Sequence, residues 1–314
     1  MKMSIKLSAW LFGATLVVSS VSSFATEKHN ATHYTKTRYP IVLVHGMFGF
    51  DSALGVDYWY GIISDLRRSG AEVYVAQVTA LEDSVRRGEE LLHYLEELKA
   101  ITGHSAFNLI GHSQGGPTSR YVAAVRPDLV KSVSSVGSPH KGSKVADLLM
   151  SKPAGNLGDK LVEKIANGLA KLIGIASGSS QDKQDFQRSL SSLSTYESAL
   201  FNAQFPAGIP SSFCGEGESL VNGVRYYSWA GSSKLTNVLD ASDYALSATG
   251  LAFSEENDGM VARCSSHLGR VIRDNFKMNH LDQINHFFGI HHLFETDPVT
   301  VYRQHANRLQ LAGL

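Results

Sequence analysis

The feature that most constrains this chain is a repeated alternation of short strand-like runs, the first of them wholly apolar, with stretches of helical period. Ile41-Val42-Leu43-Val44 ends at His45-Gly46 and reads as a buried strand running into a loop. Residues near Tyr58–Arg68 have helical character and stop at Gly70, and Val73–Val78 is a second strand candidate. Ser84–Ala100 spaces acidic and apolar residues as a helix does, with Ser84 in the cap position and Gly103 beyond its end. Phe107–Ile110, Pro117–Val125 and Ser132–Val136 then repeat strand, helix and strand. Such β-α-β units imply an α/β fold with a mostly parallel central sheet and helices on both faces.

Beyond residue 150 the pattern changes. Residues 150–215 carry Gly and Ser clusters around one amphipathic stretch, Leu157–Ile173. Leu157, Leu161, Ile165, Leu169, Leu172 and Ile173 fall on one helical face, with Asp159, Lys160, Glu163, Lys164, Asn167 and Lys171 elsewhere. Gly168 weakens this helix by about 1 kcal/mol relative to alanine. Val224–Ala230 is a late strand, and the rest reads as loop-rich with short helices. With no internal repeat and no clear linker, residues 26–314 are expected to form one domain with a helical insertion at about 150–180.

Residues 1–25 stand outside that fold. Lys2 and Lys6 precede an apolar run, Leu7–Val18, and a small-x-small site at Ser23-Phe24-Ala25, the order of a secretory signal peptide. No later segment is an apolar run long enough to span a bilayer. Lys and Arg total 29 against 29 Asp and Glu, so no electrostatic footprint for nucleic acid exists. Cys214 and Cys264 both lie in the exported part, where an even count favours a disulfide.

Gly111-His112-Ser113-Gln114-Gly115 fits G-x-S-x-G. Alone the pattern is weak, but here it follows the strand Phe107–Ile110 and opens a helix, the setting of a nucleophile elbow. That sharp turn requires strained backbone at Ser113 and small flanking residues, and it aims helix N–H groups at a developing oxyanion. The loop His45-Gly46-Met47-Phe48-Gly49 lies where a second oxyanion donor is needed, so the main-chain amides of Met47 and Gln114 are the expected pair. A serine nucleophile needs a base and the base an acid, in the chain order Ser, acid, His. Order alone leaves His140, His267, His280, His286, His291, His292 and His305 open as bases.

The chain resembles the bacterial true lipases of family I, the Pseudomonas and Burkholderia type, closest to the shorter subfamily 1. The likeness rests on Tyr39–Gly49 (YPIVLVHGMFG), Gly55–Tyr60 (GVDYWY), Asn108–Pro117 (NLIGHSQGGP) and Tyr121–Leu129 (YVAAVRPDL). It extends through Gly137–Gly142 (GSPHKG), Asn257–Val261 (NDGMV), Cys264–Gly269 (CSSHLG), Asn279–Asp282 (NHLD) and Val301–Leu309 (VYRQHANRL). The resemblance implies the α/β-hydrolase fold and places the acid at Asp258 and the base at His280, with Asp240, Asp243, Asp274 and Asp282 as rival acids. It implies a structural calcium held by Asp240, Asp282 and the main-chain carbonyls of His286 and Ile290, where His286 replaces the usual Gln. It places a lid helix at Leu157–Ile173, and implies a secreted triacylglycerol lipase acting at an oil–water interface through an acyl-enzyme. Such lipases often need a membrane-bound foldase in the periplasm before export.

Two other readings differ in class. A soluble carboxylesterase or thioesterase of the same fold would lack an interfacial response. A non-catalytic binding protein is opposed by the intact Ser113, Asp258 and His280. Dehalogenase-like relatives would need an Asp at the elbow. Zinc is opposed because no pair among His286, His291 and His292 has the i, i+4 spacing of a zinc helix.

Overall fold

The computed structural model describes residues 33–47, 49, 52–53, 56–151, 160–176 and 183–314. The expected signal peptide, residues 1–25, lies outside them, as does Leu157. The chain runs β1 (Ile41–Val44), a short ladder of β2 (Ser52–Ala53) with β3 (Val56–Asp57), α1 (Ile62–Arg68), β4 (Val73–Val75), α2 (Ser84–Thr102) and β5 (Phe107–His112). It continues through α3 (Gly115–Val125), β6 (Val130–Val136), α4 (Lys144–Met150), α5 (Lys160–Ala176), α6 (Lys183–Ser192) and α7 (Thr195–Gln204). β7 (Leu220–Val221), β8 (Val224–Gly231), α8 (Ala241–Thr249), β9 (Arg270–Phe276) and α9 (Pro298–Leu311) complete it.

The main sheet has the order β4-β1-β5-β6-β8, with β7 and β9 sharing the far side of β8, and every pairing is parallel except β7 with β8. Its central strands β1, β5 and β6 are buried almost throughout because both faces are covered. Ile41 and Leu43 pack toward α1 and α9, with Ile62, Leu66 and Tyr302. Val42 and Val44 point the other way, to Leu91 and Leu95 of α2 and Val122 of α3. The pleat thus divides one four-residue strand between two cores.

Several boundaries differ from the sequence reading. Asp83, not Ser84, caps α2, its carboxylate accepting from the amides of Val85 and Arg86. A carboxylate at a helix N-terminus also complements the dipole. The Val73–Val78 strand is only three residues long. The segment expected to be loops and short helices holds β9 and the 14-residue α9. β9 is an edge strand of half-exposed residues with charges at Arg270, Arg273 and Asp274, so it lacks the apolar run that betrays a central strand. α9 begins with Asp297 as cap and Pro298 in its first turn, a start signal that the sequence carried. On α5, Ile165, Leu169 and Leu172 are buried as expected, but Leu161 is 43% exposed and Val162 is buried instead. Cys214 and Cys264 are bonded.

Candidate active site

The parallel strands all deliver their C-terminal ends to one edge, where open α/β sheets form their crevice. β5 ends at His112 and turns into α3 at Gly115. Between them Ser113 has φ +53°, one of four non-glycine residues with positive φ among the described residues. This costly conformation is fixed from both sides. The Ser113 amide donates to the Val136 carbonyl at 2.9 Å, and its carbonyl accepts from Gly116 N at 3.0 Å. Gly115 cannot carry a side chain here, since a Cβ would lie 2.1 Å from the Val44 carbonyl oxygen.

Ser113 Oγ lies 3.0 Å from Nε2 of His280, whose Nδ1 is 2.7 Å from Oδ2 of Asp258. His280 follows β9, and its amide donates to the Asp258 carbonyl at 2.9 Å, so the two loops are also tied through their main chains. The Asp258 carboxylate accepts three further bonds, from Gln283 Nε2 (2.8 Å), Met260 N (2.9 Å) and Val261 N (2.7 Å). Both of its oxygens are therefore held, which fixes the ring plane of His280.

Three of the other histidines are engaged elsewhere. His267 faces Asp274 and the Gly215 carbonyl, so both ring nitrogens meet acceptors. His140 sits between Ser135 and Arg120, and His305 between Ser134 and Arg308. Burial pushes both well below the ordinary histidine pKa, helped by the charges of Arg120 and Arg308 respectively. Asp243 is satisfied by Thr236, Asn237 and Asn279, and Asp274 by Arg263 and His267.

The loop after β1 approaches the elbow closely. A Cβ on Gly46 would lie 2.6 Å from Ser113 Cβ. Arg87, fully buried on α2, donates to the carbonyls of His45 (2.5 Å) and Gly46 (3.2 Å), and to those of Thr79 (3.1 Å) and Ala80 (3.2 Å). Burial lowers its pKa to about 10, still a cation at neutral pH. In a trans peptide the N–H points opposite the C=O. Fixing the Gly46 carbonyl on Arg87 therefore turns the Met47 amide away from Arg87. The Gln114 side chain is wholly buried, donating to the Glu82 carbonyl (2.7 Å) and accepting from Ser189 of α6 (3.1 Å).

Met47 packs with Leu169 of α5 and Leu190 of α6. Leu172 of α5 packs with Leu246, against which Leu281, next to His280, also lies. The apolar face of α5 thus rests on neighbours of both the Met47 loop and His280.

Sequence reasoning missed Arg87, Gln283, Tyr58 and His112 as parts of this constellation. Gln283, three residues after His280, and His112, directly before Ser113, are local to the triad in sequence; Arg87 and Tyr58 arrive from distant elements.

Asp240 and Asp282 are both buried. Asp240 Oδ1 accepts from Ser242 N and Asp282 Oδ2 from Asn279 N, while Asp240 Oδ2 and Asp282 Oδ1 have no hydrogen-bond partner. Burial, together with the charges of Asp240 and Asp243, pushes the Asp282 carboxyl up to about 8. No group of three or more His, Cys, Asp or Glu is placed to hold a metal among the described residues. Two buried carboxylates with orphaned oxygens nevertheless have the donor chemistry of an oxygen-ligated cation.

Comparison with known proteins places this geometry in context. Residues 39–289 match the family model described as alpha/beta hydrolase fold. The chain is 58% identical over 282 residues to a triacylglycerol lipase of Vibrio cholerae serotype O1, covering 90% of each chain. It is 42% identical over 288 residues to a triacylglycerol lipase of Pseudomonas fragi, covering 88% of this chain and 98% of that one. A Burkholderia plantarii triacylglycerol lipase is 41% identical over 323 residues, with 90% and 89% covered. Among solved structures, the mature lipase BlEst2 of Bacillus licheniformis superposes with a TM-score of 0.61 at 22% identity, covering 87% of this chain and 92% of that one. That last likeness speaks to the fold alone.

Proposed function

The chain belongs to the α/β-hydrolase family and, within it, to the bacterial triacylglycerol lipases, and from that premise we propose that Ser113, Asp258 and His280 are its catalytic triad. The observation that carries the assignment is the unbroken chain from Ser113 Oγ through His280 to Asp258, at 3.0 and 2.7 Å.

The substrate is a lipid ester. His280 Nε2 takes the proton of Ser113 as Oγ attacks the ester carbonyl. Asp258 accepts from Nδ1–H, holds the tautomer and stabilises the imidazolium. The main-chain amides of Met47 and Gln114 receive the oxyanion, and the N-terminal end of α3 adds its dipole. The imidazolium then protonates the leaving alkoxide, and water activated by the same ring hydrolyses the acyl-enzyme.

The residues at the buried acidic site fit calcium. Asp240 and Asp282 would hold it, with the carbonyls of His286 and Ile290. When bound, the ion neutralises two buried carboxylates and braces the loop that carries His280. The apolar face of α5 supports a role as lid, closing over the acyl site and turning to lipid when open. No described helix is long and apolar enough to cross a membrane. Export through the periplasm, guided by residues 1–25 and assisted by a foldase, completes the proposal, with residues 26–314 as one catalytic domain.

The test is hydrolysis of a triglyceride emulsion against a soluble short-chain ester, for the parent and Ser113→Ala. The parent should accelerate sharply once the ester exceeds its solubility, and Ser113→Ala should be inactive on both. Residual turnover in Ser113→Ala near the parent level refutes the triad. A smooth saturation curve through the solubility limit refutes the lid.

A further inference from the structure

Four buried groups line up across the floor of the site with all their donors pointing one way. The Gly46 amide donates to Tyr58 Oη at 2.9 Å, Tyr58 Oη is 2.7 Å from His112 Nδ1, and His112 Nε2 is 3.0 Å from the His280 carbonyl oxygen. The proton positions follow from the ends. A carbonyl oxygen can only accept, so His112 carries its proton on Nε2. Its Nδ1 is then an acceptor, which makes the Tyr58 hydroxyl its donor, and the phenol oxygen is left to accept from Gly46. Each bond fixes the direction of the next.

The two ends of this chain matter to the reaction in different ways. Gly46 precedes Met47, the proposed oxyanion donor, and its N–H belongs to the His45–Gly46 peptide, whose carbonyl is held by Arg87. Tyr58 therefore fixes the N–H side of the peptide that Arg87 fixes on the C=O side. At the other end, His112 supports the main chain of His280 itself, and the two rings lie tilted at 44° with centroids 4.6 Å apart. His112 is also the residue directly before Ser113. Burial, with the neighbouring imidazoles of His280 and His286, lowers its pKa well below the usual value. A neutral ring beside His280 is what the mechanism needs, because His280 becomes a cation in every turnover.

We propose that Tyr58 and His112 are positioning residues for the hydrolysis, a one-way hydrogen-bond relay that sets the oxyanion loop and the His280 main chain at a fixed separation around Ser113. The inference rests on the triad reading above. It assigns the Tyr58 hydroxyl a function distinct from packing, since a phenylalanine would fill the same buried space without orienting either end.

The experiment uses the full-length secreted enzyme in saturating calcium and a soluble short-chain ester, so that neither metal loading nor an interface enters. Tyr58→Phe, His112→Gln and the double variant are compared with the parent and with Ser113→Ala. Each single substitution should lower kcat about 10- to 100-fold with KM within about threefold, the pattern of lost alignment in the transition state. Because one relay is broken by either change, the double variant should lose no more than about twofold beyond the worse single. A kcat for Tyr58→Phe within twofold of the parent overturns the proposal, and so do losses that multiply in the double variant, which would mark two independent packing effects. If Tyr58→Phe does not fold, as judged by its melting midpoint, His112→Gln decides by the same kcat criterion. Activity persisting in Ser113→Ala would instead overturn the triad reading.

Discussion

His45, His112, His140 and His305 are buried with pKa values held below the ordinary histidine range, and His305 lets the consequence be measured one proton at a time. Arg308 donates into its Nδ1 at 3.0 Å, and its Nε2 meets Ser134 Oγ at 2.6 Å, with the ring edge-on to Tyr227 and tilted against Trp229. Nδ1 has no room for a proton while Arg308 occupies it, and burial removes the water that a charged ring would need. The folded-state pKa is therefore depressed below the unfolded value of 6.5. For a histidine that sign means full stability above pH 6.5 and progressive loss as the pH falls, because the unfolded chain takes up a proton that the native site refuses. With a native site still unprotonated at pH 5, the loss is RT ln(1 + 10^1.5), about 2 kcal/mol, against less than about 0.1 kcal/mol at pH 7.5. His45, His112 and His140 are subject to the same logic, so the parent should lose stability steadily as the pH falls through this interval. His305→Gln removes one of these contributions. It should be less stable than the parent at pH 7.5 by about 1–3 kcal/mol, since Arg308 loses its acceptor. That gap should close by about 2 kcal/mol, or about 4–6 °C in melting midpoint, as the pH is lowered to 5.0. The assay is calorimetry at one scan rate in constant calcium, so that irreversibility weighs equally on both proteins. A gap that stays constant from pH 7.5 to 5.0 refutes the reasoning.

Asp258→Asn should lower kcat by about 10⁴ while leaving the melting midpoint within a few degrees, because the carboxylate fixes the His280 tautomer; turnover near the parent level would return the acid role to one of the rival aspartates. Calcium affinity, followed by isothermal titration calorimetry, should fall about tenfold per pH unit below pH 8, since the raised Asp282 carboxyl must release its proton to the ion. An affinity flat between pH 6 and 8, or unchanged in Asp282→Asn, argues against the site. In the chelated enzyme the sign is opposite to that of the histidines: a carboxyl raised from 3.8 makes the fold less stable as pH rises toward 8, which differential scanning fluorimetry in excess chelator will register. Reducing Cys214–Cys264, which closes a 50-residue separation, should destabilise the fold by about 4 kcal/mol on the chain-entropy model, read as a fall in melting midpoint; an unchanged midpoint would show the bond to be dispensable.

Legibility along the chain tracks how local each determinant is. Ile41–Val44 and Phe107–His112 are buried on both faces, the first as a wholly apolar run and the second around Phe107, Leu109 and Ile110, whereas β9, half-exposed at the sheet margin, carries charges that conceal it. Ser113 was readable because its constraints are contiguous: a strand, a turn that forces positive φ, and glycines where backbone passes too near for a side chain. Asp258 and His280 were constrained only in order, and their assignment leaned on family resemblance. Their geometry depends on loops 22 residues apart in sequence that meet through a main-chain bond as well as the side chains.

Apart from Gln283, the residues that stayed hidden share one property, which is that each acts through a carbonyl or an amide that has no side-chain signature. Arg87 binds four carbonyls, Tyr58 receives an amide, and His112 reaches the carbonyl of His280. A pattern search can pair a base with an acid, but it cannot pair a side chain with a peptide group 41 or 168 residues away. Yet such bonds are what a strained serine and a main-chain oxyanion site require. Main-chain donors have no rotamers of their own, so their direction is set only by what holds the peptides on either side. Arg87 holds the carbonyls of His45 and Gly46, and Tyr58 holds the amide between them. The orientation of the Met47 amide is therefore set by side chains outside the triad, Arg87 and Tyr58 together with the His45 ring, whose Nδ1 lies 2.9 Å from the Gly46 carbonyl oxygen. Substitutions at positions remote from the triad in sequence should accordingly appear in kcat before they appear in KM.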